Sequence, residues 1–291
     1  MLVVLEISAR LAVFAFVITS MLSVGLGLTL SQVLEPFRSP RLVLSSLAAN
    51  FVLVPLLALV LTKTIAVDRS LALGVLLLGT GAGAPFLPKL AEFARGNTAP
   101  AVALMGLLMT ATIVYMPIVL PILLPGSHVS PWLVAKPLLT VMLVPLTLGL
   151  LLRARRGPLA GRMQPYLRRA STIALALVII LVSAANYSQI TQTLSFNTIL
   201  VCVLLSVASF ACGFALGGPS NDTRRILALG TAQRDISAAL LVGVETFRDS
   251  GVVVMLIVMA LVGLCLQVPV AMAFGRCVDG KGAPRIAKVA L

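Results

Sequence analysis

Two stretches decide how this chain is read: LALGVLLLGTGAGAPFLPKLAEFARG, residues 71–96, and RRILALGTAQRDISAALLVGVETF, residues 224–247. Each is apolar and long enough to cross ~30 Å of hydrocarbon. Each is also interrupted near its midpoint. In the first, Gly79, Gly81, Gly83, Pro85 and Pro88 fall together. Proline removes a backbone donor and clashes with the preceding turn, and glycine adds backbone freedom, so no continuous helix is expected through 79–88. In the second, Gly230 and Thr231 are followed by the polar cluster Gln233, Arg234 and Asp235. Both stretches contain Leu-Gly-Thr, at 78–80 and 229–231, and each is followed by a span with a proline near its end, Pro117 and Pro269. Irregular backbone at membrane depth survives only where it is buried in protein or lines a watery cavity.

The rest of the chain sets these breaks in a membrane. Of 291 residues, 59% are hydrophobic and 11% charged, against about 25% charged in soluble domains. The apolar runs are continuous for a helix-length span, which excludes the alternating strands of a barrel. The class is therefore all-α, a polytopic membrane protein whose first partner is the lipid bilayer. Nine transmembrane helices are read at 10–32, 41–62, 70–94, 98–123, 131–152, 170–190, 197–217, 223–247 and 251–275. The run from Leu11 to Leu30 continues without a small-residue cleavage pattern, so it reads as the first span rather than a leader.

Charge orients the spans. Sixteen Lys and Arg residues fall on one side and five on the other, with Arg234 on neither. The positive-inside rule places the N-terminus outside and the C-terminus in the cytoplasm. Trp132 and Tyr187 fall near outer ends, where amphipathic rings favour the interface. Residues 153–169 carry six arginines and no acid and read as a basic cytoplasmic loop between a first half, 1–152, and a second half, 170–291. The net charge of +13 is thereby a topology signal. No basic patch is interleaved with stacking aromatics, so nucleic acid is not an expected partner.

With this orientation the first broken span runs inward and the second outward, which is the pattern of an inverted repeat. In such transporters substrate and coupling ions meet unwound segments at the midplane. A charge at that depth costs at least ~2.5–3.5 kcal/mol on insertion scales and marks a site or a partner. Asp235 is a good N-cap for the second half of its span, beside Arg234.

At these spans the sequence resembles the bile acid:sodium symporter family, in its bacterial members. The resemblance is carried by MLSVGLGLTL (21–30), SSLAANFVLVPLLA (45–58), APFLPKLAEFARGN (84–97) and LALGTAQRDISAALLVG (227–243). It implies two crossing broken helices, a core domain of spans two, three, four, seven, eight and nine, and a panel domain of spans one, five and six. It also implies a bacterial inner (plasma) membrane, an organic anion as substrate and Na+ as coupling ion. The family's amides match Asn50 and Gln233, whereas its shared acid falls on Leu229 and its Ser-Asn pair on Leu87 and Pro88. One Na+ site is therefore lost, and Asp235 is the midplane acid left for the other.

The expected Na+ site is thus Asn50, Thr231, Gln233 and Asp235, and the expected substrate residues are Thr80, Gly81, Gly83, Pro85, Arg234 and Ser237. The expected function is alternating-access transport of a small organic anion, Na+-coupled, with proton-coupled or uncoupled passage of the anion as alternatives. An arsenite-permease-like exporter would need a cysteine at the first break, and 79–88 has none. Catalysis would need a nucleophile–base pair or a metal set at the midplane. With a single histidine, His128, and cysteines (Cys202, Cys212, Cys265, Cys277) at no metal spacing, neither an enzyme nor a bound cofactor is expected. Three of the cysteines lie in apolar runs and are expected to be buried.

Overall fold

A computed structural model describes residues 2–29, 31–32, 39–96, 98–124, 129–187, 190, 195–247 and 249–279. His128 lies outside the described residues. Helices dominate: α1 Leu2–Gly27, α2 Pro40–Thr64, α3 Arg69–Thr80, α4 Leu87–Phe93, α5 Thr98–Leu123, α6 Pro131–Arg155, α7 Gly157–Ala185, α8 Phe196–Leu216, α9 Asn221–Ala232, α10 Ile236–Phe247 and α11 Ser250–Asp279. Seven of these are long and apolar enough to cross a membrane: α1, α2, α5, α6, α7, α8 and α11. The other four form two helix–break–helix units, α3/α4 and α9/α10.

Local chemistry explains where the helices start. Ser130, Ser195 and Ser220 cap α6, α8 and α9 by accepting a backbone N–H. Proline sits in the first turn of α2, α6 and α7, where its missing N–H is not needed. Inside α2 and α6 the chain widens into π-turns, at Ala49–Leu53 and Leu138–Leu143. Each is followed by Val-Pro, Val54-Pro55 and Val144-Pro145. A proline ring presses on the carbonyl four residues earlier, and a wider turn relieves that contact.

Two expectations change. Residues 153–169, read as a loop, are helical on both sides of Arg156: α6 runs to Arg155 and α7 begins at Gly157. Arg162 and Arg169, seven residues apart, share an exposed face of α7. The cysteines also divide: Cys202 is buried, Cys212 half-buried and Cys265 exposed. An exposed thiol on an apolar helix is compatible with lipid contact. The same outer surface carries Ile122, Leu148, Ile173 and Ile180, all exposed, which is the surface expected of a chain solvated by lipid.

Packing sorts the helices into two groups. α1 packs most extensively on α7 and then on α6. The α1–α6 contact is backbone to backbone: a Cβ on Gly25 would lie 2.3 Å from the Leu146 carbonyl oxygen, and one on Gly149 2.7 Å from that of Leu22. The second group joins α8 to α9, α11 to α3, α2 to α3 and α4 to α5. The two breaks belong to this group.

Gly83 fixes the first break against α5. Its φ is +89°, and a Cβ there would sit 2.2 Å from Met109 N. Gly83→Ala is therefore expected to cost at least ~1–3 kcal/mol from backbone strain alone, and more from displacing α5. Its apparent melting temperature in detergent should fall well below that of wild type. Gly157→Ala, where a Cβ meets nothing within 4 Å, should melt with wild type.

Candidate functional site

The two breaks meet. Ala82 and Arg234 form an isolated antiparallel bridge, and the Asp235 N–H donates to the Gly81 carbonyl at 3.2 Å. The first break is tied to α5 as well. The Ala82 N–H donates to the Thr112 hydroxyl at 2.9 Å, and that hydroxyl donates back to the Ala82 carbonyl at 2.9 Å. A short pair of extended segments thus crosses where both helices have stopped.

At the crossing the guanidinium of Arg234 sits in a cage of oxygens. Nε donates to Leu78 O at 3.1 Å. Nη1 donates to Asn50 Oδ1 at 2.8 Å and to Thr231 O at 3.3 Å. Nη2 donates to Asn50 O at 3.4 Å and to Gly79 O. A guanidinium has five N–H donors, and these five acceptors match them one for one.

The acceptors come from helix ends and a π-turn. Gly79 lies in the last turn of α3 and Thr231 in the last turn of α9, where carbonyls lack intrahelical donors; Leu78 O, beside Gly79, also accepts the Gly81 N–H at 3.2 Å. The Asn50 carbonyl is released by the π-turn of α2, because the Val54 N–H reaches Ala49 O instead. The neighbouring Phe51 carbonyl would look to residue 55, a proline, and accepts the Tyr115 hydroxyl in its place. Asn50 is fully buried and held by its amide nitrogen, which donates to Ser46 O at 3.0 Å and Thr231 Oγ1 at 3.2 Å. Two helix C-termini, each worth roughly −0.5 elementary charge, converge on one cation.

Asp235 is matched to the opposite kind of helix end. Its Oδ1 accepts from Ser237 N at 2.9 Å and Ala238 N at 3.4 Å, capping α10. Among the described residues Arg234 and Asp235 are the buried charged side chains, but they form no ion pair with each other. Ion pairs lie elsewhere, at Arg10–Glu245 and Lys89–Glu92. Adjacent in sequence, the two buried charges serve separate helix termini.

A cavity of about 370 Å³ opens beside the crossing, between the two helix groups. α1 and α7 line one side, through residues such as Ser23 and Gln164; the first break, α8, α10 and α11 line the other, through Ser209, Ser237 and Gln267. Of the expected site residues, Pro85, Gln233, Arg234 and Ser237 line it. Thr80, Gly81 and Gly83, expected at the substrate, do not line it. The Thr80 hydroxyl bonds back to Leu76 O at 3.0 Å and Leu77 O at 2.9 Å, the common fate of threonine in apolar helices. Arg234, also expected there, has no N–H left for a ligand.

The four residues expected at Na+ are likewise divided. Asn50 and Thr231 hold Arg234, Gln233 lines the cavity, and Asp235 caps α10. Leu87 and Leu229 are fully buried apolar groups. With the guanidinium in place, the cage does not fit a further cation.

Two contributors carry no clear mark in the sequence. Gln267 donates from Nε2 to Ala232 O at 2.9 Å, closing the end of α9. Its amide inside the apolar span 251–275, where a polar side chain needs a partner, is a signal that could have found it. Arg168 lines the cavity but reads in the sequence only as part of a basic loop.

The cap generates a test. Asp235→Asn keeps an accepting oxygen and is expected to melt within about 0.5 kcal/mol of wild type, whereas Asp235→Ala loses the cap and about 1 kcal/mol. Thermal unfolding of both variants in detergent measures the difference. Equal losses in the two would show that the charge, not the cap, is what matters.

Comparison with known proteins gives the fold a lineage. The chain is 27% identical over 256 residues, 84% of its length and 59% of the relative's, to the Arabidopsis thaliana protein named probable sodium/metabolite cotransporter BASS3, chloroplastic. It is 26% identical to the Oryza sativa subsp. japonica protein of the same name, over 67% of this chain and 46% of that one. It is 22% identical to probable sodium/metabolite cotransporter BASS6, chloroplastic, of Arabidopsis thaliana, over 84% of this chain and 64% of that one. The chain thus spans about half to two thirds of the length of these relatives. Residues 14–193, from α1 through α7 and including Asn50 and the first break, match the Sodium Bile acid symporter family. That is more than half of the chain, and this protein, an integral membrane protein of a transporter rather than an enzyme lineage, belongs to that family.

Proposed function

We propose that the protein is a secondary transporter that carries a small organic anion across the membrane by alternating access. The observation that carries this reading is the cavity between two helix groups, ending at two crossed helix breaks. The arrangement suits rocking of α1, α6 and α7 against the remainder, which moves the cavity's opening from one face to the other around a fixed crossing. In this reading α3/α4 and α9/α10 each complete one crossing, giving nine, and they are the corresponding halves of an inverted repeat. The basic helix start at 157–169 then lies at the cytoplasmic face of a plasma membrane, with the N-terminus outside.

The lining supports a polar, negatively charged passenger. The Ser209 and Ser237 hydroxyls, which can donate to an anion, are buried without a hydrogen-bonding partner, and both residues line the cavity. Unpaired polar atoms in such a place favour a ligand or water that satisfies them. Of the charged residues in the lining, Glu92 is paired with Lys89, and Arg234 is saturated by protein oxygens. Arg168 is the positive charge left to face the passenger. The relatives' names speak of metabolites, and a volume of about 370 Å³ admits a small organic acid.

The test is counterflow in proteoliposomes loaded with an unlabelled acid and offered the same acid labelled outside, across a panel of small mono- and dicarboxylates. Saturable accumulation of at least one acid is expected. Ser209→Leu, which fills the cavity from a plain helix, should lower it at least roughly tenfold with the melting temperature kept. Counterflow of neutral or cationic solutes alone would remove the anion from the assignment, and none at all in folded protein would remove transport.

A further inference from the structure

The cage around Arg234 has the make-up of a cation site. Its five oxygens are four backbone carbonyls and one side-chain amide, from three helices, and two of those helices present their C-terminal ends. In transporters with broken helices, unwound carbonyls and half-helix C-termini are where a coupling cation is held. The cation in this cage is covalently attached to the chain. We propose that Arg234 is a tethered replacement for a bound Na+: its guanidinium occupies the cation site at the crossing permanently, and the protein neither binds Na+ there nor needs it to assemble the breaks.

Three features argue for replacement rather than for an anion receptor or a buried ion pair. All five donors are spent on protein, so no anion is held by them. The carboxylate next in sequence turns away to cap α10, so the charge is balanced by helix ends. The positive charge is also placed where the first break, the second break and the π-turn of α2 come together, so one side chain ties three elements in register. A mobile ion would do the same only while bound. A guanidinium does it in every state of the cycle, which removes the Na+ dependence of assembly and, where the transport reading holds, of uptake.

The inference rests on the transporter reading for its consequence on uptake, but its binding claim stands apart. The experiment is thermal unfolding of the purified protein in NaCl, KCl and choline chloride at constant ionic strength. Wild type is expected to melt identically in all three. Arg234→Ala is expected to melt lower in KCl and choline chloride and to be raised by several degrees, saturably, by NaCl, because the emptied cage is then open to Na+. Free guanidinium at low millimolar concentration should rescue it likewise. Arg234→Lys keeps a charge in the cage and should remain indifferent to Na+. A saturable Na+-dependent rise in wild type overturns the proposal, and so does an Arg234→Ala protein that folds and ignores both cations. Should Arg234→Ala fail to fold, the wild-type comparison still decides. In the counterflow assay, uptake equal in Na+ and K+ is the expected result, and uptake that requires Na+ is the contrary one. Absence of all uptake, with melting indifferent to Na+, would remove the transport reading and leave the cage assignment in place.

Discussion

Everything at the centre of this protein depends on one buried guanidinium and the five oxygens around it. A cation at this depth is costly on its own. Here the cost is offset because the surrounding carbonyls are themselves costly to leave unpaired. α3 stops at Thr80, α9 stops at Ala232, and α2 widens at Asn50. Each event releases carbonyl oxygens among buried residues. Arg234 satisfies oxygens from all three at once, through bonds strengthened by its charge. The breaks and the arginine stabilise each other.

That reciprocity explains how polar chemistry is distributed around the crossing. Released backbone groups have their own partners: Thr112 for Ala82, Tyr115 for Phe51, Gln267 for Ala232 and Asp235 for the first turn of α10. The cavity lies beside this network rather than inside it. The network ties the crossing together, while Ser209 and Ser237 face the cavity with hydroxyls that have no partner. Gln267 belongs to both: its Nε2 closes α9 on Ala232 O, and its Oε1 is left unpaired at the cavity.

Much of this is legible in the amino-acid sequence. The all-helical membrane class, the two interrupted spans and the capping role of Asp235 come from composition, Gly/Pro placement and N-cap chemistry, all local properties of the chain. The roles of Arg234, Asn50 and Thr231 are not legible there, because they depend on which orphan carbonyls from distant segments arrive at one point. Residues 78 and 234 are remote in sequence, and no periodicity reports that they touch. Thr80, Gly81 and Gly83 lie at the break but outside the cavity lining. They mark the break correctly, but the chemistry of a break is mostly directed at the protein that stabilises it. Arg168 is hidden by its company, since one cavity-lining arginine among six looks like topology.

The π-turn in α2 has a consequence of its own. In length it is one residue more than an α-helix would use for the same turns, and a residue inserted in an α-helix rotates the remainder of that helix by about 100°. The half of α2 beyond it carries Ala58, which packs against Gly79 so closely that a Cβ on the glycine would lie 2.7 Å away. The half before it carries Ser46, which holds Asn50. The extra residue thus sets the phase between these two halves. In this span, length is information: deleting one residue within 49–53 would turn Ser46 and Ala58 out of phase with each other, even with Asn50 kept.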